Sequence, residues 1–141
     1  MRYALLPRLP MLLAVLLVGG ACDNGDIVTI PDSPTVTETY TGTVARNGSQ
    51  IHSFISNAHG AVTATLTAVE PTGSPAIGFS MGTWDGTICS AVLTNNNATV
   101  TSQLTGTIVG ISSLCIRLFD PFTRVPDDAP VNYTVTVVRP Q

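Results

Sequence analysis

Apolar and polar residues alternate along most of the chain from about Thr37 onward. In one segment, Val62, Ala64, Leu66 and Ala68 are separated by single threonines. Because successive side chains of a β-strand point to opposite faces, this period of two predicts half-buried strands with one apolar and one hydroxyl-rich face. The same alternation recurs in three further groups of apolar positions: Ile77, Phe79 and Met81; Leu114, Ile116 and Leu118; and Tyr133, Val135 and Val137. No segment of this region has a convincing helical period, so the pattern predicts an all-β fold.

Turn-forming residues divide the region into about eight strands. Asn47-Gly48 and Asp85-Gly86 each lie between two strand-like segments, and such dipeptides tolerate the positive φ angles of tight hairpins. Longer loops are predicted at Asn95–Asn97 and at Pro121–Pro130. We therefore expect a single antiparallel, jelly-roll-like β-sandwich of about eight strands over residues 37–141.

The first 21 residues have the layout of a secretory signal. Arg2 and Arg8 precede the apolar run Met11–Val18, and the small residues Gly19-Gly20-Ala21 follow it. The run is too short to span a bilayer as a helix, which takes about 20 apolar residues. We therefore expect export and no permanent transmembrane span.

The end of this signal resembles the lipobox of bacterial lipoproteins. In Val18-Gly19-Gly20-Ala21-Cys22 the cysteine follows small residues, although the family usually has leucine at the position of Gly19. The resemblance implies that Cys22 is lipidated and anchors the protein to a membrane of the bacterial cell envelope, on the periplasmic or the surface-exposed side. Ordinary signal cleavage is the alternative. Residues 22–36 contain prolines, glycine and aspartates and are predicted to form a flexible tether.

Cys89 and Cys115 are the two cysteines that remain if Cys22 carries lipid. Both lie in strand-like segments of one small domain, and an exported domain folds under oxidising conditions. We expect them to form a disulfide, with two buried free thiols as the alternative.

The net charge argues against two classes of partner, nucleic acids and anionic lipid surfaces. Without the signal, the chain has four arginines, no lysine and nine acidic residues, a formal net charge of −5. A charge-poor acidic chain lacks the basic surface that nucleic acids or anionic lipids require. Attachment to a membrane is therefore expected through the lipid on Cys22.

The pentapeptide Gly78-Phe79-Ser80-Met81-Gly82 fits the G-x-S-x-G pattern of serine hydrolases. A nucleophile elbow needs a strand, a strained turn and a helix, and the pattern around Ser80 is that of a strand alone. A triad of Ser80 with His52 and Asp32 has no supporting motif. His52 and His59 also lack neighbours at zinc-ligand spacing, so we predict that the protein is not an enzyme.

Two parts of the region resemble the bacterial pre-peptidase C-terminal (PPC) family. The first is Tyr40–Val69, and the second comprises Cys115–Asp120 with the closing strand Val131–Val137. The resemblance implies a β-sandwich that acts as an accessory or adhesion module of exported proteins. Some relatives bind calcium through a D-x-D pattern in the middle strand, whereas the corresponding Ala76–Gly82 has no acidic residue.

Candidate binding residues lie in the predicted loops, where rigid sandwiches often carry function. Trp84, Asp85 and Asn96 are the candidate ligand-binding residues. Asp120, Asp127 and Asp128 are a weak candidate for a calcium site, and a solvated acidic loop is the favoured interpretation. No other cofactor is expected.

Together these features predict a non-catalytic, lipid-anchored envelope protein that acts as a binding, adhesion or accessory module. The expected partner is an envelope protein or a polysaccharide. The alternatives are a purely structural envelope component and a calcium-dependent polysaccharide- or protein-binding domain.

Overall fold

The computed structural model describes residues 33–141, which form eight β-strands and no helix. Within this part of the chain there is accordingly no helix that is long and apolar enough to cross a membrane. The predicted signal, Cys22 and the tether up to Asp32 lie outside the described residues. The strands are β1 (Thr35–Val44), β2 (Ser49–Ser56), β3 (Gly60–Glu70), β4 (Ile77–Trp84), β5 (Cys89–Ala98), β6 (Gln103–Ile108), β7 (Ser112–Phe119) and β8 (Val131–Pro140).

The strands form two antiparallel sheets of four strands each. Sheet A has the order β1-β8-β3-β6, and sheet B has the order β2-β7-β4-β5. The chain changes sheet at every connection except the one between β4 and β5. This is the strand order of a jelly roll, so the predicted fold class is confirmed.

The core lies between the two sheets and is built from the alternating positions that the sequence pattern predicts. The apolar residues named above from β3, β4, β7 and β8 are buried, with Ala68 as the half-buried exception at a bulge. Val44, Phe54, Ala98 and Leu104 add the contributions of the other strands. Each sheet thus removes the apolar face of the other from water.

The two predicted tight turns behave differently. Asp85-Gly86 joins the paired strands β4 and β5, and Gly86 has a φ of +102°. The hairpin expected at Asn47-Gly48 is wrong, because β1 pairs with β8 while β2 pairs with β7 in the other sheet. Asn47 does adopt a positive φ of 54°. The dipeptide reverses the chain, but the burial of both apolar faces decides which strands become neighbours.

The loop expected at Asn95–Asn97 is also wrong, because these residues belong to β5. The pairing register explains the error. Ile77 lies opposite Ala98, and Phe79 lies opposite Asn95, so β5 contains one residue more than β4 between these pairs. The extra residue forms a β-bulge, within which the Asn97 N–H donates to the side-chain oxygen of Asn95 (2.9 Å).

The sandwich begins earlier than predicted. The sequence pattern predicts Thr35 and Val36 to lie in the tether, but they are the first residues of β1 and lie opposite Pro140 and Arg139 of β8. Because β1 pairs along the full length of β8, these two residues become part of the strand, although their own sequence resembles that of a linker.

Cys89 and Cys115 form the predicted disulfide, with Cα atoms 5.8 Å apart. The bridge connects β5 with β7, although β4 lies between them in sheet B. It can do so because the start of β5 folds over β4 at Gly82. A side chain at Gly82 would overlap the carbonyl oxygen of Ser90, and its Cβ would lie 2.8 Å from the Cα of Ala91.

We expect Gly82→Ala to destabilise the fold by about 2 kcal/mol or more, since overpacking against backbone atoms cannot be relieved by a rotamer change. Gly106→Ala is the matched control in a strand of sheet A. Its new Cβ would meet only side-chain atoms of Met81 and Leu93, at the ordinary contact distances of 3.6 and 3.7 Å. Urea unfolding of both variants measures the difference, and equal stabilities would contradict the proposed close approach.

Candidate functional site

The sandwich has two chemically different ends. One end has the connections 57–59, 85–88 and 109–111, and β1 starts and β8 finishes there. We call it the proximal end. The opposite end has the connections 45–48, 71–76, 99–102 and 120–130, and we call it the distal end. The predicted binding residues are divided between the ends: Trp84 and Asp85 are proximal, whereas Asn96 lies on the distal part of β5. They therefore do not form one site.

The distal end is held together by the acidic loop. Asp120 is buried, and its carboxylate accepts hydrogen bonds from the backbone N–H groups of Asn47 (3.1 Å), Arg124 (2.8 Å) and Val125 (3.3 Å). Burial alone would raise the pKa of this carboxyl group, but the hydrogen bonds outweigh it and hold the pKa below its ordinary value of 3.8. Asp120 thus has a structural role that joins two loops.

The other two aspartates of this loop do not converge on Asp120. Asp127 forms an exposed ion pair with Arg46 (3.2 Å), and Asp128 is exposed. In residues 33–141 there is no group of three His, Cys, Asp or Glu side chains arranged to hold a metal ion. Arg124 instead donates to the side-chain oxygen of Asn97 (2.6 Å) and connects the loop to the β5 bulge.

Asp120→Asn should lower the free energy of unfolding by about 2 kcal/mol at neutral pH, because a neutral amide oxygen replaces a charged acceptor. The folded-state pKa of Asp120 is lowered, so its contribution is complete above the unfolded-state pKa near 3.8. The contribution is lost as the pH falls through the folded-state value. Urea titrations of wild type and variant should therefore converge under acid conditions. Asp128→Asn, at an exposed position, is the control, and a difference that does not change with pH would contradict this role.

Ser80 and His52 are not arranged for catalysis. Ser80 lies opposite Arg117 on the outer side of sheet B and is 1% exposed. His52 lies opposite Ile116 on the inner side, and its Nε2 is 2.7 Å from the hydroxyl oxygen of Tyr133. The two side chains are thus on opposite faces of one sheet. Asp32, the third residue of the hypothetical triad, is outside the described residues, and His59 is exposed in the β2–β3 turn.

An open groove lies beside Trp84 along the edge of the sandwich formed by β1 and β2. Its volume is about 680 Å³. We call it the Trp84 groove, and it is lined by Glu38, Tyr40, Ser53, Phe54, Ile55, Asn57, Trp84, Ser113 and Arg139. Trp84 is half-buried and lies in line with Ser113 and Ile55 across the outer face of sheet B. The groove therefore combines aromatic and aliphatic walls with hydroxyl, amide and charged groups.

A charged pair lies on the sheet A side of the groove. Arg139 Nη2 donates to Glu38 Oε1 (2.6 Å), and the Tyr40 hydroxyl donates to Glu38 Oε2 (2.6 Å). The hydrogen bond from Arg139, followed by that from Tyr40, lowers the pKa of Glu38. Burial is the main cause that raises the pKa of the Tyr40 hydroxyl. Glu38 is therefore a fixed negative charge at the groove, with the guanidinium of Arg139 beside it.

Aromatic rings connect this pair to the core. The ring of Tyr40 lies 5.0 Å from that of His52 and 6.2 Å from that of Phe54, measured between centroids. Burial lowers the pKa of His52 and raises the pKa of Tyr133 to about 12, so both groups are neutral near pH 7. The groove wall is thus packed and hydrogen-bonded, which favours a preformed site.

Our sequence interpretation missed Glu38, Tyr40 and Arg139. One signal was present: Glu38 occupies an inward position of β1, where the alternation predicts an apolar residue. Its partner Arg139 is 101 residues away in the chain. The pairing of β1 with β8, which brings them together, could not be inferred from the turn residues.

No protein-family model matches this chain, and no curated protein matches it significantly. Among solved structures, the chain is similar to the crystal structure of PliG from Aeromonas hydrophila, a periplasmic lysozyme inhibitor of g-type lysozyme. The alignment covers 77% of this chain and 88% of that chain, with 10% sequence identity and a TM-score of 0.44. At this level the similarity supports no conclusion about function, and the resemblance to the PPC family stays a prediction from strand patterns.

Proposed function

We propose that this protein is a non-catalytic binding module of the bacterial cell envelope, anchored by a lipid on Cys22, and that it binds its ligand in the Trp84 groove. The observation that carries the proposal is the composition of that groove. It places a half-buried indole beside hydroxyl groups and a hydrogen-bonded carboxylate–guanidinium pair. Concave sites with apolar walls and a few oriented polar groups are the usual form of ligand sites.

The chemistry favours a saccharide segment of an envelope polysaccharide as the ligand. An indole or phenol ring packs against the C–H face of a sugar, while its polar edge remains hydrated. Glu38 can accept hydrogen bonds from hydroxyl groups, and Arg139 can donate to them. Ser53, Asn57 and Ser113 supply further neutral partners along the groove. A catalytic role gains no support, since Ser80 and His52 lie on opposite faces of sheet B.

Trp84→Ala should weaken saturable binding to a purified envelope polysaccharide by at least tenfold, because the indole is the one tryptophan ring in the groove lining. Affinity is measured on immobilised cell-wall polysaccharides, with and without a chelator. Since backbone N–H groups occupy the Asp120 carboxylate, we expect no effect of the chelator. Phe122→Ala is the matched control, because this exposed aromatic residue lies at the distal end.

Trp84 is half-buried, so its loss can also affect folding. Ser113→Gln provides the second variant, because it narrows the groove from an exposed position and removes no core contact. Both variants should bind weakly, and Ser113→Gln should melt like the wild type. Unchanged affinity in both would reject the groove as the site. The absence of binding by the wild-type protein to every polysaccharide would favour the purely structural role.

The anchor has a separate test. Mass spectrometry of the protein extracted from membranes should show Cys22 as the first residue, with acyl chains attached. Cys22→Ser is expected to release the protein from the membrane fraction, since the lipid is the proposed attachment. A mature protein with an unmodified Cys22 would contradict lipidation.

A further inference from the structure

Three aliphatic side chains project from neighbouring loops of the proximal end. Ile88 ends the β4–β5 turn, and Val109 and Ile111 flank a glycine in the β6–β7 connection. They are 60%, 93% and 78% exposed. These connections adjoin β4 and β7, which are neighbours in sheet B, so the three side chains project from the same end of that sheet. Grouped exposed apolar side chains, unlike single ones, are typical of surfaces that contact a membrane or another protein.

The charges of the two ends support a difference in environment. Histidine aside, Asp85 is the one charged residue in the proximal connections 57–59, 85–88 and 109–111. Its carboxylate accepts hydrogen bonds from the N–H groups of Thr87 (2.8 Å) and Ile88 (2.6 Å). The distal connections instead contain Arg46, Asp120, Arg124, Asp127 and Asp128. The proximal connections therefore carry few charges and three exposed aliphatic side chains, whereas the distal connections are strongly charged.

The chain enters the sandwich at the proximal end. β1 starts at Thr35 opposite Pro140, and the carbonyl of Pro34 accepts a hydrogen bond from the N–H of Gln141 (2.8 Å). Only residues 23–32 separate Cys22 from the first described residue. Even fully extended, a segment of this length spans about 35 Å. A lipid on Cys22 would thus confine the proximal end to the neighbourhood of the bilayer, where a weak apolar contact acts at high effective concentration.

We propose that the proximal end rests on the lipid bilayer, with Ile88, Val109 and Ile111 inserted into its interfacial region. This inference rests on the lipid anchor of the proposed function. The contact is apolar rather than electrostatic, since the exported chain has a net charge of −5 and no lysine. It therefore does not require anionic lipids. In this orientation the Trp84 groove opens beside the membrane, and the charged distal end points away from it.

Trp84 is the only tryptophan of the chain and reports directly on this contact. The processed, anchored protein is reconstituted into phosphatidylcholine vesicles whose acyl chains carry bromine, which quenches indole fluorescence at close range. We expect strong quenching of Trp84 in the wild type, also at high salt. The triple variant Ile88→Ser, Val109→Ser, Ile111→Ser should reduce the quenching at least threefold. None of these residues lines the groove.

The control is the double variant Val100→Ser, Phe122→Ser, which removes exposed apolar side chains, 45% and 54% accessible, from the distal end. It should be quenched like the wild type. Flotation of the vesicles separates the two proposals: protein that floats without quenching keeps its anchor and overturns the docking. Protein that does not float contradicts the anchor and the docking together. Quenching that is equal in the wild type and the triple variant, or a triple variant that differs from the wild type in oligomeric state, would also overturn the docking.

Discussion

At Gly82 the backbone of Ser90 passes over β4, an interior strand of sheet B, and the Cys89–Cys115 bridge closes beside it. This close approach of two backbones determines the geometry of the proximal end. The bridge connects β5 to β7. These two strands are not hydrogen-bonded to each other, because β4 lies between them in sheet B. The pairing of β4 with β7 places Trp84 in line with Ser113, and the bridge fixes the start of β5, directly after Ile88, to β7. In the loop-closure model a bridge over 26 residues also contributes roughly 3–4 kcal/mol.

Charged and polar side chains near the core are placed where distant strands meet. Glu38 and Arg139 join the beginning of β1 to the end of β8, and His52 reaches Tyr133 from the opposite sheet. Asp120 connects two loops of the distal end through backbone N–H groups. Since a polar group removed from water without a partner is unfavourable, these contacts favour the observed strand partners as well as contributing stability. The groove uses the first of these arrangements as one of its walls.

The two ends of the sandwich differ in the roles that we propose for them. The distal end is closed by an acidic loop in which the Asp120 carboxylate is occupied by backbone N–H groups. The proximal end combines the Trp84 groove, the exposed aliphatic loop tips and the entry of the chain from the proposed anchor. A ligand site and a membrane contact at the same end would place recognition at the bilayer surface. The jelly roll serves as the rigid support for both, because its strands are cross-connected between the sheets.

The period of two along the chain was sufficient by itself to predict the fold class and most of the buried faces. It predicted the strands, the inward faces of β3, β4, β7 and β8, and the all-β class, because side-chain alternation is a local property of an extended backbone. The number of cysteines and the expected export to an oxidising compartment likewise indicated the disulfide. Local information failed at Asn47-Gly48, at Asn95–Asn97 and at Thr35, where the outcome depends on which strands pair and in which register. Tertiary structure alone decided those pairings, since two apolar faces are buried only when the sheets are assembled from strands far apart in sequence. The same assembly placed Glu38 beside Arg139 and formed the groove, which no local pattern could show.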